Sequence, residues 1–173
     1  VQWAAKYGTS VFRGAHEDVL SRLHTAAQEG DADVVVRANG DNPLISPAVT
    51  QNGIEHLTTT DREFVTGKRE YTDLPVGLGP ELLRTETLTK VLESTGDPSH
   101  REHVTTYIFD NPDEFDWVSI PVDPAWRAPE YTLTVDTESD LTYVRRIVAS
   151  LPDCRPATWT VQDIIDACHE YNP

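Results

Sequence analysis

The chain predicts an α/β fold, a mostly parallel sheet flanked by helices, and three observations carry that expectation. Short apolar runs alternate with segments of helical period through the first half of the chain. Val34, Val35 and Val36 form a run that is apolar on both faces, as a buried parallel strand should be. That run ends in a polar turn carrying Asp41, and Pro43 prevents the strand from continuing. In open α/β sheets ligands bind beyond the carboxyl ends of the strands, so Asp41 stands where chemistry usually occurs.

Residues 1–8 read as the tail of a helix closed by Gly8 as C-cap. Residues 9–14 are short and β-branched and read as a strand running into a glycine turn. From 17 to 29 the spacing of Val19, Leu20, Leu23 and Ala27 predicts a helix with acids in its first turn, stopped by Gly30. After the valine strand, Ser46 caps a helix starting at Pro47, with Val49, Ile54 and Leu57 inward. Phe64 and Val65 form a weak strand, and the loop 77–80 leads to an apolar pair at Leu82 and Leu83. Helices are expected over 85–94 and over 99–110, the second ended by Asn111 and Pro112. Residues 117–120 suit an edge strand, because Pro121 cannot donate to a ladder. The alternation at 131–135 predicts the last strand, followed by helices over 139–151 and 160–171. There are no repeats and no interdomain linker, so residues 1–173 read as one domain.

The formal net charge of −15 arises from 29 acidic against 14 basic residues, spread along the chain. Such a surface repels nucleic acid and anionic membranes, since no basic stripe exists to displace counterions. Strong salt would screen the self-repulsion, which suggests a salt-adapted (halophilic) source. Patterned elements and four Trp that call for burial argue against disorder. Cys154 and Cys168 are too few for a disulfide framework or zinc knuckle and suit the cytoplasm, and no apolar run is long enough to cross a bilayer. The chain has no methionine, even at position 1, and reads as a fragment.

The segment from Val135 to Leu141 places a second acid, Asp136, after a strand, in the manner of Asp41. Two carboxylates roughly 4 Å apart repel by about 4 kcal/mol at an effective dielectric near 20, and a cation offsets that repulsion. Mg²⁺ suits a water-open cleft, taking one or two carboxylates together with waters and substrate phosphates. The structural alternatives are an Asx turn at Asp41 and a helix cap at Asp136. Asp140 reads as a first-turn acid favoured by the helix dipole. Arg101, Glu102 and His103 open a helix whose free N–H groups can receive an anion, while His100 with His103 is a weak metal pair.

Four blocks occur in order: Phe12-Arg-Gly-Ala-His-Glu-Asp-Val-Leu-Ser-Arg22, Arg37-Ala-Asn-Gly-Asp-Asn-Pro-Leu-Ile45, Arg101-Glu-His-Val-Thr105 and Asp136-Thr-Glu-Ser-Asp-Leu141. The series resembles the cytidylyltransferase family of spore coat polysaccharide biosynthesis protein F, related to the CMP-KDO and CMP-sialic acid synthetases. The resemblance implies a GT-A-type nucleotidyltransferase fold and transfer of CMP from CTP to a sugar or sugar acid, with release of pyrophosphate. It makes Asp41 and Asp136 the metal-side aspartates, with Mg²⁺ as cofactor. It puts Arg22, Arg37, Arg101 and His103 in matched blocks as substrate-binding candidates, with Glu81 as the acid of a glycine-led loop near the sugar. A homodimer is compatible with it. The family also opens with a strand, an L-P-x-K loop that cradles CTP, a helix and a second strand, none of which precedes Val1. A different GT-A nucleotidyltransferase or glycosyltransferase, or a catalytically silent binding module, are the competing readings.

Overall fold

The computed structural model describes residues 2–152 and 158–171, so Cys154 lies outside the described residues. Close packing divides the chain into two units, Val1–Val35 with Arg84–Phe115 and Val36–Leu83 with Asp116–Pro173.

The first unit is helical. Helix α1 (Gln2–Lys6) is followed by Gly8 at φ 67°, the left-handed conformation expected of a closing glycine. Residues 9–15 form no strand, contrary to expectation. Among the described residues they have no ladder partner, and the loop is instead held by Arg22, whose Nη1 donates to the carbonyls of Ala15 and His16. Helix α2 (Val19–Glu29) is capped by Asp18, whose carboxylate accepts from the Ser21 amide. It buries Leu20, His24 and Ala27 on one face. That stripe packs against two later helices, α5 (Thr85–Ser94) and α6 (Pro98–His103). The buried His24 imidazole is satisfied across the first of these contacts by Thr89 at 2.9 Å.

The helix expected over 99–110 is two helices, α6 and α7 (Thr106–Asp110). The ladder breaks at Val104, which sits at φ 54°, and the Thr105 amide turns onto the His103 carbonyl at 2.6 Å. Val104, Thr105 and Ile108 are all buried, so core contacts accompany this unfavourable backbone.

Four strands, β1 (Val34–Arg37), β2 (Phe64–Thr66), β3 (Glu81–Arg84) and β4 (Trp117–Ser119), form a sheet in the order β1-β3-β2-β4. It is mixed rather than mostly parallel: β2 pairs antiparallel with β3 and parallel with β4. The connection at 67–80, which holds only the one-turn helix α4 (Arg69–Thr72), returns the chain alongside β2 in the opposite direction. At its base the Gly67 amide donates to the Pro80 carbonyl at 2.8 Å, extending the antiparallel register. A Cβ on Gly79 would lie 2.2 Å from the Gly67 oxygen, so the two backbones cross where neither carries a side chain.

Strand β2 is fully buried and central. Strand β1 is an edge strand with Val36 exposed, not covered on both faces. Helix α3 (Pro47–Thr59) starts at the Ser46 cap, packs on β2 and buries Val49, Gly53 and Leu57. Residues 131–135 form no strand. They make a single parallel bridge, Val76 to Thr132, because their neighbour is itself a loop. Helices α8 (Glu138–Ser150) and α9 (Val161–Tyr171) pack together and complete the second unit.

None of the four Trp is buried as expected. Trp3 is exposed, and Trp117, Trp126 and Trp159 are half-buried. Trp117 instead meets Tyr71 edge-on at 5.1 Å between ring centroids. Cys168 is a free, buried thiol, and among the described residues no helix is long and apolar enough to cross a membrane.

Candidate active site

Three segments of the second unit meet at the end of β1. Past Arg37 the chain turns through residues 38–42, and the Asn42 amide closes that turn on the Asn39 carbonyl at 3.1 Å. The Asp41 carbonyl then accepts from the Val135 amide at 2.8 Å, and the Asn42 side-chain oxygen accepts from the Thr134 hydroxyl at 2.8 Å. Gly77 fits between them at φ 94°, where an added Cβ would lie 3.2 Å from the Leu133 carbon and 3.3 Å from the Asn42 oxygen. Segment 131–133 is laced to Val76 by two main-chain bonds: Val76 donates to Tyr131 at 3.0 Å and Leu133 donates to Val76 at 2.8 Å.

This junction ties the Asp41 main chain to Val135, the residue before Asp136, by one main-chain hydrogen bond, although Asp41 and Asp136 are 95 positions apart. Both side chains are exposed. Neither structural alternative consumes them. The turn at Asp41 is closed by backbone, and its carboxylate meets no described hydrogen-bond partner. The cap of α8 is Thr137, not Asp136, in a capping box with Asp140. The Asp140 carboxylate accepts from the Thr137 hydroxyl and amide at 2.8 Å each and from the Asp136 amide at 3.2 Å. The Thr137 bonds hold its carboxyl below its ordinary range. Asp140 therefore holds the loop that presents Asp136.

The donor set has the chemistry for a hard divalent cation. Two exposed carboxylates supply oxygens only, and Mg²⁺ takes one or two carboxylates while water and phosphate complete its shell. Among the described residues no group of three or more His, Cys, Asp or Glu converges as a self-sufficient protein metal cage.

Arg37 and Glu81 also lie in the second unit and form an ion pair at 2.5 Å. Glu81, only 5% exposed at the start of β3, is approached by Lys68 as well, at 3.5 Å. A carboxylate so deeply buried requires such partners, because desolvation of an unpaired charge costs several kcal/mol. Sequence reasoning missed Lys68, which stands in a stretch read only as polar, and missed Gly77 and Thr134 as the pieces that join the two acids.

Arg22, Arg101 and His103 belong to the first unit. Arg22 is occupied by the carbonyls of the 15–16 loop. Arg101 donates to the carbonyls of Leu92 and Thr95 and to the Asp18 carboxylate at 3.2 Å. His103 is the exposed last residue of α6. His100 is used structurally, with Nδ1 at 2.9 Å from Thr95 and Nε2 at 2.9 Å from Asp110.

The fold is α/β with a small mixed sheet flanked by helices, and the chain belongs to the cytidylyltransferase family, whose model matches residues 2–158. It is 32% identical over 140 residues to an uncharacterized protein of Methanocaldococcus jannaschii, covering 81% of this chain and 56% of that protein. It is 29% identical over 146 residues to spore coat polysaccharide biosynthesis protein SpsF of Bacillus subtilis, covering 82% of this chain and 58% of that protein. A solved cytidylyltransferase from Leptospira borgpetersenii superposes with a TM-score of 0.89 at 26% identity, over 98% of this chain and 69% of the other. The chain thus spans a little over half the length of these curated relatives.

Proposed function

We propose that the complete protein transfers CMP from CTP to a sugar or sugar acid on a GT-A-type scaffold, releasing pyrophosphate, in the service of surface polysaccharide synthesis. The observation that supports it best is the Asp41 carbonyl to Val135 amide bond, which ties together the two loops that carry the otherwise uncommitted carboxylates of Asp41 and Asp136. These two residues would hold Mg²⁺, which when bound neutralises phosphate charge and favours departure of pyrophosphate. Nucleotidyl transfer asks little further of the protein, because the acceptor's own hydroxyl is the nucleophile and positioning does most of the work.

In this reading the chain contributes rigidity at the junction. Gly77 lets the loops close, Asn42 fixes Thr134, and Asp140 braces the Asp136 loop. Arg37, tied to Glu81, is a positioning residue for the turn that carries Asp41. The SpsF relationship supports the polysaccharide role. The acidic composition supports a salt-rich cytoplasm, and the resemblance allows a homodimer.

The test is pyrophosphate release by the complete protein in Mg²⁺ and high salt, with CTP, UTP, GTP or ATP against a panel of neutral sugars and sugar acids. CTP with at least one of these acceptors is expected to turn over, and Asp41→Asn to lose turnover while keeping its circular dichroism and melting temperature. Wild-type-like turnover in that variant removes the metal role, and release with UTP or ATP alone points to a different nucleotidyltransferase.

A further inference from the structure

The second unit contains a cavity of about 610 Å³ at the start of α8, within the size range of small-molecule sites. Its walls include Tyr131, Tyr143 and Tyr171, and its charged groups are Glu130, Glu138, Asp140 and Arg146. The carboxylates outnumber the one cation by two. Asp140 is committed to the Thr137 capping box, whereas Glu130 and Glu138 form no ion pair with a described residue.

Tyr131 and Tyr143 are held as neutral rings. Tyr131 is buried with its hydroxyl 2.7 Å from His169 Nδ1, and burial pushes its phenol up from its ordinary value. Burial likewise raises Tyr143, which is hydrogen-bonded to Cys168. The negative charge of Glu130 acts in the same direction on Tyr131 and on the Cys168 thiol, so its field is felt in the wall behind the opening.

Aromatic faces attract cations through the ring quadrupole, and carboxylates add a direct charge. An anionic nucleotide or sugar acid would meet the excess negative charge. A bare divalent ion would find phenols where it needs a cluster of oxygens, and no such cluster occurs among the described residues. We propose that this cavity is a binding site for a small organic cation of the alkylammonium class, its ammonium compensating Glu130 and Glu138 and its methylenes lying on the tyrosine rings.

The experiment is a calorimetric titration with putrescine at fixed high ionic strength, with 1,4-butanediol as the neutral isostere and no CTP or Mg²⁺ present. Putrescine is expected to saturate at one per chain and the diol to leave no signal. The double variant E130Q/E138Q should weaken binding about tenfold, as loss of two compensating charges implies. Tyr171→Leu should weaken it several-fold, and Arg146→Gln should tighten it. Two controls separate the site from its surroundings. Glu29→Gln with Glu93→Gln removes the same charge elsewhere, and Asp41→Asn removes the proposed metal side; both should leave the titration unchanged. Equal weakening by the charge-matched control would reduce the effect to the diffuse field of an acidic protein. Equal binding of the diol would leave only an apolar hollow, and loss of binding in Asp41→Asn would move the cation to the other site. Any of these results, or failure to saturate, overturns the proposal.

Discussion

The strand-end junction of the second unit and the α5–α6 corner of the first treat charge in opposite ways. At the corner, Arg101 spends its guanidinium on two carbonyls and the Asp18 carboxylate, and His100 spends both ring nitrogens on Thr95 and Asp110. At the junction the positioning is done by main chain and by Asn42, Thr134 and Asp140, while the Asp41 and Asp136 carboxylates are left facing water. A side chain consumed by its own protein serves the fold. One that the backbone holds in place without using is available for a substrate or an ion.

That contrast is open to test by substitution. The largest effect is expected at Glu81, where the charge is consumed and buried. Glu81→Ala would leave Arg37 without its buried partner and should cost about 3 kcal/mol or more in denaturant unfolding at high salt, whereas Asp136→Asn should leave the midpoint unchanged. An unaltered midpoint for Glu81→Ala would mean that the pair is not structural. Next is Gly77→Ala, which places a side chain at φ 94° against Leu133 and Thr134. It should cost about 2 kcal/mol and reduce turnover beyond what the stability loss explains, since it spreads the loops carrying the two acids. If only stability changes, the junction does not position chemistry.

Arg101→Met sharpens the other side of the comparison. It removes a half-buried ion pair and two carbonyl contacts, so a loss of about 1.5 kcal/mol is expected with kcat unchanged in the complete protein. A raised KM for CTP or acceptor would give Arg101 a substrate role after all. The smallest effect concerns the capping boxes of α8 and α9. The Thr137 bonds depress the Asp140 carboxyl, and the Thr160 bonds depress that of Asp163. A folded-state value below the unfolded one contributes stability that is fully present above the ordinary carboxylate range and is lost as pH falls through the depressed values. Asp140→Asn combined with Asp163→Asn should therefore lower the melting temperature at neutral pH and flatten its fall on the acid side, the two proteins converging as pH drops below the depressed values.

Much of the helical architecture was legible in local pattern. The 85–94 helix, the Ser46 and Pro47 start and the closing role of Gly8 rest on contacts within a few residues, which periodicity and capping chemistry describe well. The failures share one cause. The 9–14 and 131–135 segments have strand-like composition but pair with no strand among the described residues, and pairing is a long-range property. The break at Val104 arises where buried side chains accompany an unfavourable backbone, and no helix-breaking residue marks it. Each acid could be read singly as a strand-end carboxylate, but the joining of their loops depends on Gly77 and Thr134, whose packing against each other's segments is long-range and was not legible in the sequence. The matching positions of the two acids after apolar runs suggested the pairing, and the four-block resemblance pointed the same way. Lys68 could not be connected to Glu81 for the same reason, since thirteen positions of turn and helix separate them.

The crossing of Gly67 and Gly79 limits how the molecule can vary. A single methyl on Gly79 has nowhere to go, because what lies 2.2 Å away is a carbonyl oxygen and not the movable tip of a side chain. In a saturation library selected for folded protein, these two codons should stay nearly monomorphic. Gly40 and Gly96, with nothing within 4 Å of an added carbon, should drift freely.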